Sequence, residues 1–361
     1  MRQQTQSTIN NIRAWFDKVI ATAEPGERLP TVREIMRRFS TAQRTVDEAL
    51  RPYRENGRVR MRPGSGTVVA APSELKATKE DYEGDLLVLY RTSESRLARN
   101  LLQEMESRLK ARGISILQIG YSSEEQTLSI LDRIGRFRAC LLQVNFEILP
   151  VAFLAALHRH VNSIVIDGVS ATGIDVDAVG TNWREALSVA FRILREKGHK
   201  RIGFLTSAHH ARQIAMARRE FGLLGGWLPK TGGTWLLEVD RLPGSYRIAD
   251  ITAALERVRG KDGRLPFSAL IAWGVVEGFV LERALSDAGQ DIGRDISVIV
   301  LGSVDFPSEH LGRFDVVGNS NAEKLTLFEA IIADRIAMRE REPKTHYLTV
   351  SYVANGSIVP Q

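Results

Sequence analysis

Three observations predict an α/β chain built from a small winged helix-turn-helix head and a two-lobed domain of doubly wound parallel sheets. Two short amphipathic helices, a tight turn between them and a basic hairpin occupy residues 26–69. From residue 86 onward, short apolar runs alternate with helical stretches. The third is charge: residues 1–72 hold 13 Lys+Arg against 7 Asp+Glu, which accounts for the whole net charge of +6.

The head reads element by element. Ile9, Ile12, Phe16, Val19 and Ile20 follow helical spacing, and Pro25-Gly26 ends that first helix. Thr31 and Glu34 make a T-x-x-E capping box, so a second helix starts there, with Val32, Ile35, Met36 and Phe39 as its apolar stripe. Ser40 and Thr41 are placed to cap a third helix, whose inward positions are Val46, Ala49, Leu50 and Tyr53. Pro52 within it lacks an amide and is expected to kink it or end it early; Asn56-Gly57 stops it. Val59 and Met61, then Thr67, Val68 and Val69, flank a Pro63-Gly64-Ser65-Gly66 tip, the pattern of a hairpin. Arg58, Arg60 and Arg62 alternate with the apolar residues and make one face basic, fit to lie along phosphates. Gln43 and Arg44 open the third helix, where two-pronged side chains reach adenine and guanine edges in the major groove.

The order L-P-x-x-R-E at 29–34, T-V-x-E-A-L at 45–50, N-G at 56–57 and G-x-G-T-x-V at 64–69 resembles the winged helix-turn-helix of GntR-type bacterial transcription regulators. The resemblance covers about the first seventy residues. It implies double-stranded DNA as partner, with Arg33, Thr41, Gln43, Arg44 and Thr45 at the bases or phosphates and Arg62, Gly64 and Ser65 at the wing. Where that family often carries arginines, this chain has Gln43 and Asp47, so an operator unlike the commonest one is expected.

The chain of 361 residues is long enough for two or three domains, and 43% hydrophobic with 25% charged residues is a globular composition. A lone Cys140 between Ala139 and Leu141 rules out an internal disulfide framework and reads as a buried apolar group. There is no apolar leader at the N-terminus and no membrane-length apolar run, so a cytoplasmic protein is expected.

Residues 71–84, charged and poor in large apolar groups, read as a linker. Apolar runs at 86–90, 114–119, 140–144 and 163–166, and one ending at Thr181, suit buried parallel strands. Helices are expected over 95–112, 124–136, 150–159 and 182–197. The rhythm resumes with strands at 202–206, 235–239, 269–273 and 297–301 and helices over 211–225, 247–259 and 276–288. A strand at 315–318, a helix over 321–339 and one last strand near 347–353 finish the chain. Such β–α alternation predicts two doubly wound lobes, one of 85–181 plus about 315–340, the other of 182–312 plus the C-terminal segment.

Three passages, 179–205, Arg219-Glu220-Phe221-Gly222 and 267–305, are similar to the ligand-binding domains of LacI/GalR-type regulators, which share the periplasmic-binding-protein fold. Joined to a GntR-type head, the chain resembles arabinose-repressor-type regulators. That resemblance implies a homodimer, a pseudo-palindromic operator and a small-molecule effector, sugar-like or other, in the cleft between the lobes. The residues it points to are Arg219 and Asp167, and strand ends add Ser93, Asn145, Trp273 and Asp305. The family's polar residues are replaced by Gly274-Val275, Val304 and Thr181, which weakens a simple sugar pocket.

No cofactor is implied. His158 and His160, or His209 and His210, lack supporting ligands at metal spacing; Asp175 and Asp177 stand in a glycine-containing loop; no nucleophile elbow is present. The sequence therefore reads as a non-enzymatic, effector-responsive regulator, more readily a repressor. Two alternatives stay open: an effector-independent DNA-binding dimer, and a small-molecule sensor whose head is incidental.

Overall fold

The computed structural model describes residues 2–23, 27–55, 59–62, 66–69, 82–169, 175–337 and 341–361. It divides into two compact units, Met1–Asp81 and Tyr82–Gln361.

The first unit holds α1 (Arg2–Thr22), α2 (Val32–Phe39), α3 (Gln43–Glu55) and the antiparallel pair β1 (Val59–Arg62) and β2 (Gly66–Val69). Ile9, Ile12, Phe16, Ile35, Val46, Leu50 and Val59 form its core. The capping box of α2 is present: the Thr31 amide donates to Glu34 Oε2 at 2.6 Å and the Glu34 amide to Thr31 Oγ1 at 3.3 Å. Ser40 does not cap the next helix. It takes a left-handed conformation (φ 47°) that ends α2, and the first helical bonds of α3 run back to the Ala42 carbonyl. A strand partner was not legible in the sequence: the Leu29 amide donates to the Thr67 carbonyl and the Val69 amide to the Glu27 carbonyl, so residues 27–29 pair with the wing.

Pro52 does not end α3, which runs to Glu55. Proline removes the amide that would bond the Glu48 carbonyl one turn earlier. Arg13 of α1 supplies donors instead, Nη2 to the Glu48 carbonyl and Nε to the Ala49 carbonyl, both at 3.4 Å. Tyr53 Oη donates back to the Arg13 carbonyl at 3.1 Å. Arg13→Ala is therefore expected to lower the stability of the head by about 1 kcal/mol, the usual worth of such a bond. Urea denaturation followed by helical circular dichroism checks this, and an unchanged midpoint would show these bonds to be idle.

The second unit contains β3 (Tyr82–Arg91), α4 (Arg96–Ala111), β4 (Ile116–Tyr121), α5 (Glu124–Ile134), β5 (Arg136–Gln143), α6 (Val151–Leu157), β6 (Val161–Asp167) and β7 (Asp177–Thr181). There follow α7 (Trp183–Glu196), β8 (Arg201–Ser207), α8 (Arg212–Gly225), β9 (Gly233–Val239), α9 (Ile248–Val258), β10 (Ala269–Trp273), α10 (Gly278–Asp287) and β11 (Ser297–Ser303). Then come α11 (Pro307–His310), β12 (Asp315–Asn319), α12 (Asn321–Ile336), β13 (Thr345–Leu348) and β14 (Ser351–Val353). β3 starts at Tyr82, inside the stretch read as linker.

These strands form two six-stranded sheets, ordered β13-β7-β6-β5-β3-β4 and β14-β12-β11-β10-β8-β9. All pairings are parallel except β12 with β14. Each sheet carries apolar clusters on both faces, as parallel sheets between helices require. The chain crosses between the sheets after Thr181, after Asn319 and at Thr349-Val350.

The structure places two segments differently from the sequence pattern. Residues 315–319 belong to the second sheet, because Ile299 to Ser303 pair with them in parallel; of the stretch 315–340, α12 is the part that packs on the first lobe. The single last strand is two: β13 joins β7 in the first sheet and β14 joins β12 in the second. A run of seven extended residues looks uniform in sequence, and only the partners show where it changes sheet.

Candidate DNA-reading surface and effector cleft

In the head, α3 buries Val46, Ala49 and Leu50 and leaves Gln43 and Arg44 exposed in its first turn, with Thr45 and Thr41 half-buried beside them. Arg33 is exposed on α2. The αL break at Ser40 turns the chain from one helix to the next and fixes the first turn of α3 over the core. Thr31 holds Glu34 below the usual carboxylate range, first through its backbone amide and then through its hydroxyl. Arg38 lies over the Trp15 ring at 4.9 Å and so packs on the head. Gly64 and Ser65 lie outside the described residues, as does the side chain of Arg62.

In the second unit, the C-terminal ends of both sheets converge on a cavity of about 150 Å³. Asn145, Asp167 and Trp273 line it. Asn145 and Phe146 both take left-handed backbone conformations (φ 47° and 65°), and the Asn145 amide group donates to the Arg91 carbonyl at 2.8 Å. Non-glycine residues in that conformation cost energy and persist where the surroundings demand them. Here the turn sets Phe146 edge-on to Trp273, with centroids 5.8 Å apart. Trp183, at the start of α7, lies 5.1 Å from Trp273 with its ring tilted by 38°. The three rings make one aromatic wall.

The polar side is built from both lobes. Lys324 Nζ binds Asp167 Oδ1 at 2.6 Å. Gln143, nine-tenths buried, leaves its Oε1 without a partner. Glu309 on α11 reaches the cavity from the second lobe. Thr181 Oγ1 donates to Asn319 Oδ1 at 2.6 Å and ties two crossing segments together. Between the lobes, Arg96 of α4 meets Glu277, which precedes α10, at 3.2 Å. A side chain at Gly244 would stand 2.8 Å from Ser95 Cβ, so that loop needs glycine to approach the first lobe.

Three expected residues lie elsewhere. Arg219 is exposed on α8, because Ile214, Ala217 and Phe221 form the buried face. Its neighbour Arg218 bonds the Ala208 carbonyl at 3.0 Å and pairs with Glu238. Asp305 caps α12: its Oδ1 accepts from the Asn321 amide at 2.7 Å and its Oδ2 from the Ala322 amide at 3.0 Å. Burial pushes that carboxyl up, but these amides and the hydroxyls of Ser320 and Ser303 outweigh it and hold the carboxyl below its ordinary value. Ser93 accepts the Ser95 amide at 3.1 Å in the turn before α4, and Ser95 lines the cavity in its place. Sequence reading missed Phe146, Trp183, Gln143, Glu309 and Lys324. Trp183 alone carried a signal, standing next to the helix-opening Asn182.

Among the described residues no group of three or more His, Cys, Asp and Glu could hold a metal, and no helix is long and apolar enough to cross a membrane.

Known proteins match each part. Residues 18–69 fit the family described as "Bacterial regulatory proteins, gntR family", so the head is a GntR-family helix-turn-helix. The HTH-type transcriptional regulator GalR of Escherichia coli (strain K12) is 29% identical over 90 residues, 25% of this chain and 26% of that protein. GalR of Salmonella typhimurium (strain LT2) matches to the same extent. The match thus spans about a quarter of the length of these relatives. Among solved structures, a LacI family regulator from Bifidobacterium animalis subsp. lactis has a TM-score of 0.63 at 17% identity, over 77% of this chain and 99% of that one. A LacI family regulator from Enterococcus faecium with bound ribose gives 0.62 at 17% identity, over 77% and 99%. CCPA from Weissella paramesenteroides with bound glucose gives 0.61 at 16% identity, over 76% and 98%. The second unit thus has the two-lobed fold of LacI family regulators.

Proposed function

We propose that this protein is a sequence-specific DNA-binding transcription regulator, acting as a repressor, whose affinity for DNA is set by a small sugar-like molecule in the cleft. The observation that carries the reading is the exposed Gln43-Arg44 turn of α3 on a packed GntR-type head, borne on the same chain as a two-lobed cleft. Arg33, Thr41 and Thr45, with Arg62, Gly64 and Ser65 of the wing, would complete the DNA surface. We further propose that two chains pair, so that two heads read a pseudo-palindromic operator. The glucose and ribose seen in relatives of this fold suggest the class of effector. A ligand moves the DNA equilibrium only if it binds the open and closed lobe arrangements unequally.

Selection of bound sequences from random duplex DNA at two salt concentrations tests this. A two-fold-related motif is expected, whereas unrelated DNA with steep salt sensitivity would reduce the head to phosphate attraction. On the selected operator, Arg44→Ala is expected to weaken binding by about 1–3 kcal/mol and relax one base position. Equal loss on random DNA would remove its base-reading role.

Gly274, Val275 and Val304 favour a second reading, in which the second unit only pairs the heads. A thermal-shift screen of sugars and nucleosides separates the two: a working cleft raises the melting temperature with ligand concentration.

A further inference from the structure

Glu309 is a carboxylic acid in an unusual place. It is 3% exposed and lies on the short α11 at the cavity wall. Its Oε2 accepts the Ser303 amide, and it fills the space over Gly302 that any side chain there would need. Its Oε1 makes no hydrogen bond among the described residues. Lys324, the one Lys or Arg among the described lining residues, is already bound to Asp167 at 2.6 Å. An ionised Glu309 would therefore sit buried without a counterion of its own, which folded proteins avoid by keeping the proton.

The neighbouring charges act in both directions. Burial is the largest influence and raises the carboxyl, the Ser303 amide lowers it, Asp305 raises it and Lys324 lowers it, with a net rise to about 8. From the adjoining elements, Glu277 precedes α10, which packs on α11, and His310 follows Glu309 and is itself lowered by burial. Asp167, on the same cavity wall, is paired with Lys324 at 2.6 Å and accepts from Gln143 Nε2 at 3.5 Å.

Resting on the reading of the cleft as an effector site, we propose that Glu309 determines the charge class of the effector. Its Oε1 hydroxyl donates a hydrogen bond to an oxygen of an uncharged, hydroxyl-bearing ring that lies against Trp273 and Trp183. An anionic effector meets Asp167 and no free Lys or Arg among the described lining residues. Loss of the Glu309 proton removes the donor and puts a negative charge against the same ligand oxygen. Binding is thus complete at lower pH, where the acid is protonated, and is lost as the pH rises through its titration.

The test uses the full chain, with tryptophan fluorescence as readout, since Trp183 and Trp273 line the cavity. The probes are D-glucose, D-ribose, D-glucuronate and ribose 5-phosphate, from pH 6 to 10. Without probe, a fluorescence step near pH 8 is expected in the wild type and not in Glu309→Gln, which stays neutral and keeps a donor. The dissociation constant for the uncharged sugars should rise about tenfold per pH unit above the step in the wild type, because only the protonated fraction binds. It should stay flat in Glu309→Gln, and the two anions should not bind. The inference is overturned if the step is missing, persists in Glu309→Gln, or leaves sugar affinity unchanged, or if the anions bind as tightly as the sugars. If none of the four probes binds at any pH, the sugar-like effector reading fails, while the fluorescence step still decides whether Glu309 holds its proton.

Discussion

Trp273→Ala is expected to cost the second unit about 3–5 kcal/mol, the range for deleting a large buried aromatic side chain. Trp273 is only 2% exposed, ends β10, and touches both Phe146 and Trp183. Its loss opens a hole where the two lobes meet, and the strained turn at Asn145-Phe146 loses the ring it faces. A fall in melting temperature on the order of 10 °C follows for a unit of this size. Trp273→Phe should recover most of the stability and, on the proposed reading of the cleft as a sugar site, still weaken ligand binding, since less ring remains to stack. Differential scanning calorimetry with sugar titration separates the effects, and a fall of only a degree or two for Trp273→Ala would show the wall to be loosely packed.

Arg335→Met should cost the same unit about 3–5 kcal/mol for a different reason. Arg335 Nε binds Asp177 Oδ2 at 2.7 Å, and the two are 8% and 1% exposed. Asp177 Oδ1 accepts the Lys344 amide at 3.1 Å, and Arg335 Nη1 donates to the Arg341 carbonyl at 2.7 Å. The pair thus fastens α12 to β7 and β13 together. Methionine keeps the stem and leaves Asp177 buried without its counterion. Asp177→Leu combined with Arg335→Met should regain much of the loss, because no charge is then stranded. Chemical denaturation of the three variants measures this; equal instability of the double variant would mean that shape, not charge, holds the helix.

Both variants mark the boundary of what local pattern could show. The period of apolar residues, the capping box at Thr31 and Glu34 and the apolar strand runs are local, so the order of elements was legible. Arg219 illustrates the limit. The motif order pointed to it, but Ile214, Ala217 and Phe221 set the buried face of α8. Arg219 then lies about 200° around the helix from Ala217, on the solvent side. Asp305 follows a strand end as a ligand contact would, yet the free amides of α12 are what it binds.

The sequence by itself determined a GntR-type head with Gln43 and Arg44 at the start of its third helix, two doubly wound lobes after it, and the placing of the chain's excess positive charge in the head. These follow from residue types three, four or two apart, within the reach of one helix or strand. Only the tertiary structure decided that β12 joins the second sheet, that the last extended run divides between the sheets, and that Glu309 shares a cavity wall with Lys324, Asp167 and the aromatic rings. Such contacts join residues far apart in the chain, and pairing between sheet edges and packing across the lobes leave no period in the sequence to read.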